Sequence, residues 1–190
     1  GVYYAEHITT VSPNYVQEIQ SETLGFGMQG LLTTRNDKLT GIVNGIDTDK
    51  WNPETDTYLA KNYSREKLSG KIVNKKALQQ YMGLDIDDDI PLLGVISRLS
   101  YQKGTDLLIQ IAPELVKLPA QLVILGSNHI ELEQQLILLA KMYPHAIAVQ
   151  TGFDEALSHL IEAGADCFLM PSRFEPCGLN QMYSQHYGTL

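Results

Sequence analysis

Short apolar runs alternate with segments of helical spacing throughout the second half of the chain. Leu92 to Ile96 has the character of a buried strand. Leu107, Leu108, Ile111, Ala112 and Leu115 then recur at helical spacing, and Gln121 to Leu125 is extended again. The pattern continues with a helix over Ile130 to Met142, a strand at Ala146 to Gln150 and a helix over Ala156 to Ala163, then a strand at Cys167 to Met170 and a helix over Leu179 to Tyr187. Continuous apolar strands separated by helices predict an α/β protein with a parallel sheet covered on both faces. In such sheets ligands bind beyond the carboxyl ends of the strands. That directs attention to four connections: Ser97 to Gly104, Gly126 to His129, Thr151 to Asp154 and Pro171 to Gly178.

The first half is organised differently. A strand is expected at His7 to Val11, followed by a helix that Ser12 caps and Pro13 opens, since serine is a good N-cap and proline suits the first helical position. A second strand at Gly41 to Val43 runs into Asn44, Gly45, Ile46 and Asp47, and Trp51-Asn52-Pro53 predicts a turn, so the hinge of the chain is expected here. A polar helix over Ser64 to Met82 and an acidic loop containing Asp85, Asp87, Asp88 and Asp89 lead into the regular β/α pattern.

Composition narrows the function. The 190 residues are 44% hydrophobic and 19% charged, enough for a substantial core. With 22 acidic against 14 basic residues and a formal charge of −8, broad attraction to phosphate backbones is disfavoured, and with it general nucleic-acid binding. No apolar run approaches the roughly 20 residues that span a bilayer, and no signal-peptide pattern opens the chain. Cys167 and Cys177 are too few for a disulfide framework. A soluble, cytoplasmic protein without a membrane partner is expected.

Several motifs fail for want of context. Gly25-Phe26-Gly27-Met28-Gln29-Gly30 matches the dinucleotide fingerprint in letters, yet a helix precedes it where a strand is required. The acidic loop has Ile90 and Ile96 where a calcium loop needs glycine and glutamate, which leaves a solvated turn. The five histidines lack metal-ligand spacing, so no metal site is expected. Two segments do carry chemistry. In Ser97-Arg98-Leu99-Ser100-Tyr101-Gln102-Lys103-Gly104, both cations follow a strand at the ligand edge, where a guanidinium fork and an ammonium can hold a diphosphate. In Pro171-Ser172-Arg173-Phe174-Glu175-Pro176-Cys177-Gly178-Leu179-Asn180, a carboxylate, a thiol and a glycine fill the turn before a helix, whose free amides favour anions. The plainer alternatives are a surface Arg and Lys on a loop, a Glu175 paired with Arg173, and a Cys177 serving as a small buried hydrophobe.

These two segments, with Tyr187-Gly188-Thr189, Ala5 to Pro13, Gly27 to Leu31, Val43 to Asp47 and Gly164-Ala165-Asp166, resemble the family of bacterial glycogen synthases and starch synthases along nearly the whole chain. The resemblance implies a Rossmann-like, doubly wound sheet within a two-domain GT-B type glycosyltransferase fold. Residues 1–42 would be the tail of the acceptor domain with the hinge, and residues 43–190 an incomplete nucleotide-sugar domain. It implies retaining transfer of glucose from ADP-glucose to the non-reducing end of an α-1,4-glucan, with no cofactor and no metal. Arg98 and Lys103 would bind the donor phosphates, Glu175 would contact the glucose with Cys177 beside it, and Gly178, Leu179 and Asn180 would present backbone to phosphate. Phe153 would stack on adenine, and Asn44 would touch sugar or glucan. Tyr183 stands where many such enzymes carry a second glutamate, as bacterial glycogen synthases tolerate, at the ribose side of the pocket. The family's amino-terminal Lys-x-Gly-Gly-Leu motif and final glycine-rich loop do not occur. An internal piece of a longer enzyme, inactive alone, is therefore expected. The competing possibilities are another nucleotide-sugar transferase of the same fold, and a nucleotide- or glucan-binding module without turnover.

Overall fold

In the computed structural model, which describes residues 1–190, the apolar runs of the second half form four parallel strands. They are β3 (Leu92–Arg98), β4 (Gln121–Ser127), β5 (Ile147–Thr151) and β6 (Cys167–Phe168), in the spatial order β5-β4-β3-β6. The period-2 alternation of β4 shows why both faces are covered. Leu122 and Ile124 point into one apolar cluster with Leu108, Ala112 and Leu115 of α4 (Thr105–Leu115) and Leu132 and Leu136 of α5 (Ile130–Met142). Val123 and Leu125 point into the other, with Leu78 of α3 (Ser69–Met82) and Leu157 and Ile161 of α6 (Glu155–Gly164). The last helix, α7 (Asn180–His186), follows β6 after a connection of irregular backbone.

The chain divides into two units, Gly1–Ile46 with Glu175–Leu179, and Asp47–Phe174 with Asn180–Leu190. In the first, β1 (Ile8–Thr10) pairs in parallel with β2 (Leu39–Gly41), and Val16, Leu32 and Leu39 form a small core with α1 (Pro13–Glu18) and α2 (Gln29–Thr34). Ser12 caps α1 as expected, accepting from the Tyr15 amide at 3.0 Å, and its own hydroxyl donates to the Pro176 carbonyl at 2.6 Å. The second unit holds the four-stranded sheet and its helices.

Three elements differ from the sequence pattern. The second strand lies two residues earlier than Gly41 to Val43, because Leu39, not Ile42, is the buried anchor. The polar helix starts at Ser69, since Ser64 to Lys67 close a small turn of their own. The strand at Cys167 keeps only two paired residues, and beyond it the backbone leaves the sheet toward the Gln102 loop.

Polar groups are also buried in the second unit. Glu162 on α6 accepts from the Ser184 hydroxyl at 2.6 Å, and Lys71 on α3 donates to the Ala163 carbonyl at 2.9 Å and to the Thr189 hydroxyl at 2.5 Å. Burial pushes the Glu162 carboxyl up to about 8, against the pull of Ser184 and Lys71, and burial likewise lowers the Lys71 ammonium to about 8. Glu162 thus holds its proton to higher pH when folded than when unfolded. The associated stability is full below its ordinary value of 4.5 and is lost as pH rises toward 8. The variant Glu162→Gln cannot ionise and still accepts from Ser184, so its thermal midpoint is expected to gain on wild type between pH 5 and pH 8. Parallel melting curves at those two pH values check this.

Candidate active site at the carboxyl edge of the sheet

The register of the sheet builds the site. Arg98, the last residue of β3, stands beside Ser127 of β4, and Gly126 stands beside Thr151 of β5. Three strand ends thus finish together, and with α6 and α7 they enclose a cleft of about 250 Å³. Its walls include Ser97, Arg98, Ser127, Phe153, Asp154 and Asn180. Gly126 permits the tight floor, since a Cβ there would lie 2.2 Å from the Ser97 carbonyl oxygen. Asp154 caps α6 by accepting from the Leu157 amide at 2.9 Å, while Asn180 opens α7 and donates its side-chain amide to the Ile96 carbonyl at 2.6 Å. The cleft therefore combines a guanidinium, hydroxyls, a carboxylate and an exposed ring. That set suits an anionic ligand with a flat aromatic part.

The two sequence segments singled out for chemistry meet in the second unit. The Arg173 amide donates to the Gln102 carbonyl at 2.8 Å, and Gln102 Nε2 donates to the Phe174 carbonyl at 3.4 Å. Gly104 adopts φ +71°, and a Cβ on it would lie 2.2 Å from the Pro171 carbonyl oxygen, so this approach requires glycine. Arg173 is held by Asp106 through two bonds of 2.8 and 2.7 Å. The guanidinium beside Asp106 holds its carboxyl below the usual range. Arg173 therefore pairs with Asp106, the second residue of α4, which the folded loop brings within reach.

Of the sequence-predicted residues, Arg98, Phe153 and Asn180 share the cleft. Phe153 is 89% exposed, so it is not a core side chain closing the strand. Lys103 is half-buried in the loop before α4, where its amide donates to the Ser100 hydroxyl at 3.2 Å. Tyr183 does not line the cleft; its ring stacks on Trp51 at 4.0 Å and 16°. Asn44, Glu175, Cys177, Gly178 and Leu179 belong to the first unit, where Asn44 is exposed and Cys177 is half-buried.

Sequence reading missed the group under Tyr183. The opposite face of Trp51 stacks on His159 at 3.8 Å and 7°. His159 Nδ1 lies 2.6 Å from Asp56 Oδ2, which also accepts from the Tyr187 hydroxyl at 2.5 Å. Burial raises the Asp56 carboxyl, but hydrogen bonds from His159, Tyr187 and the Tyr58 amide outweigh it and hold it below its ordinary range. Spacings of 103 and 131 residues separate Asp56 from these partners, so no local pattern signals them.

A parallel α/β sheet with a polar cleft at its carboxyl edge is a Rossmann-like fold of the kind found in GT-B glycosyltransferases. Residues 82–190 match the family of glycosyl transferases group 1, and residues 1–34 match the starch synthase catalytic domain. The chain belongs to the glycosyl transferases group 1 family. It is 65% identical over 189 residues to a glycogen synthase of Nitrosomonas eutropha and 62% identical over 189 residues to one of Nitrosospira multiformis. Each of these alignments covers 100% of this chain, which spans about 38% of the length of the two relatives. Among solved structures, the catalytic domain of starch synthase IV from Arabidopsis thaliana, bound to ADP and acarbose, superposes with a TM-score of 0.94 at 38% identity, covering 100% of this chain and 39% of that one. No helix is long and apolar enough to cross a membrane.

Proposed function

We propose that the protein containing this chain is a retaining hexosyltransferase of the cytoplasm that moves glucose from ADP-glucose to the non-reducing end of an α-1,4-glucan. The observation that carries this is the similarity to glycogen synthases along the entire chain, at 65% identity in one relative. The ADP and acarbose bound by starch synthase IV support the same pairing of nucleotide donor and glucan acceptor.

On this reading residues 43–190 hold the donor and residues 1–42 are part of the acceptor domain. Arg98 and Lys103 take the diphosphate, neutralising the charge that grows on the leaving ADP as the anomeric carbon–oxygen bond breaks. The acceptor hydroxyl oxygen bonds the anomeric carbon on the face that ADP leaves, and its proton passes to the departing diphosphate oxygen. Glu175 accepts from glucose hydroxyls beside Cys177, and Gly178, Leu179 and Asn180 bring backbone to phosphate. Asn44 meets sugar or glucan, and Tyr183 stands on the ribose side of the pocket, outside the cleft lining.

Phe153 stacks on adenine, which explains why a large ring stands 89% exposed at the cleft. Stacking of a base on an aromatic side chain is worth about 1–3 kcal/mol. Phe153→Ala is therefore expected to weaken ADP binding and to leave thermal stability unchanged; calorimetry beside a melting curve measures both. The function itself is tested by incubating the intact protein with ADP-glucose and a maltooligosaccharide. Chain extension with α-linkages is expected, and absence of extension by well-folded protein contradicts the proposal.

A further inference from the structure

The stack of His159, Trp51 and Tyr183 lies outside the roles assigned above to the cleft residues. Trp51 is its middle layer, with ring centroids 3.8 Å from His159 and 4.0 Å from Tyr183 and nearly parallel planes on both sides. His159 is fixed in turn: it is 1% exposed and held through Nδ1 by Asp56 at 2.6 Å. The stack is thus anchored in the core at one end and terminates in a half-buried tyrosine at the other.

Two connections run from this stack to the cleft. Tyr183 is three residues after Asn180 on α7, a spacing that puts both on one helix face, and Asn180 lines the cleft. Lys50, next to Trp51, pairs with Glu155 at 2.5 Å, and Glu155 follows Asp154, another cleft residue. The Lys50-Trp51 segment consequently touches both helices that wall the cleft, α6 through Glu155 and α7 through Tyr183. Trp51 is the sole tryptophan of the chain, and its flat face matches the tyrosine ring in a way that an aliphatic side chain cannot.

We propose that Trp51 is a positioning residue for nucleotide binding: by holding the ring of Tyr183 from behind it fixes α7, and with it Asn180 of the cleft, in one orientation toward the donor. This rests on the reading of the cleft as the ADP-glucose site. A group that orders Tyr183 before the ligand arrives removes part of the ordering cost of binding. Because α7 is ordered before the donor arrives, the gain is equal in ground and transition states; it appears in KM and not in kcat.

The test uses the intact protein, with ADP affinity measured by calorimetry and KM and kcat measured for ADP-glucose. Trp51→Met fills the space without a ring and is expected to raise both Kd for ADP and KM about three- to tenfold, with kcat little changed. Trp51→Phe restores a ring and is expected to recover most of the loss. In a double-mutant cycle, the loss on Trp51→Met disappears when Tyr183→Leu is already present, although any effect on melting temperature persists. Where the methionine variant does not fold, the residual loss in Trp51→Phe goes through the same cycle. If wild-type protein fails to bind ADP, the donor-site reading falls and this inference with it. If wild type binds ADP and the loss on changing Trp51 is the same with and without Tyr183, or falls on kcat, the positioning role alone is overturned.

Discussion

Replacing Arg98 by alanine is expected to lower glucan synthesis by the intact protein about 100- to 1000-fold, a loss of ~3–4 kcal/mol of transition-state stabilisation. The reason is positional. Arg98 ends β3 exposed at the cleft, where on the proposed reading the departing diphosphate develops charge. A guanidinium at that strand end offers parallel N–H donors to the charge as the bond breaks. Lysine at this position keeps the charge but loses the planar fork, so Arg98→Lys is expected to fall between wild type and alanine. Steady-state turnover at saturating ADP-glucose, with folding verified by circular dichroism, measures the series. Near-normal turnover in Arg98→Ala removes this residue from the reaction.

The largest expected effect on stability comes from Asp56→Ala. Asp56 and His159 are each 1% exposed at the side chain, and the carboxylate serves both the imidazole and the Tyr187 hydroxyl. Removing it leaves two buried donors without an acceptor. Breaking one side of such a buried pair costs about 3–5 kcal/mol. The pH dependence follows from the lowered Asp56 value. Its contribution is present above the ordinary carboxylate value of 3.8 and is lost as pH falls through the folded one. The gap in unfolding free energy between wild type and Asp56→Ala is therefore expected to be wide at neutral pH and to narrow in acid. Denaturant titrations at several pH values check this, and a gap independent of pH contradicts the assigned ionisation.

The sheet was legible because buried parallel strands and amphipathic helices leave strong periodic signals. Ile130–Met142 agrees with its expected limits, and Arg98 and Phe153 fall at strand ends where chemistry was sought. Short or irregular elements were harder. Cys167 to Met170 has a strand's composition, yet only Cys167 and Phe168 pair, because the backbone beyond them turns to meet Gln102. The second strand was displaced since Ile42 and Val43 look like strand residues but stand 61% and 58% exposed. Pairings distant in sequence left no local trace at all. Arg173 finds Asp106, Asp56 finds His159 and Tyr187, and Trp51 slides between two rings, each through tertiary structure. Trp51-Asn52-Pro53 was legible as a turn, but the destination of the indole was not.

The most direct measurement for the central claim is titration of ADP and UDP into the intact protein, wild type beside Arg98→Ala and Phe153→Ala. Saturable ADP binding at one site is predicted, tighter than UDP binding and weakened by each substitution, with Arg98→Ala acting through the phosphates and Phe153→Ala through the base. Absence of ADP binding, or binding that neither substitution changes, contradicts the assignment of this cleft as the donor site.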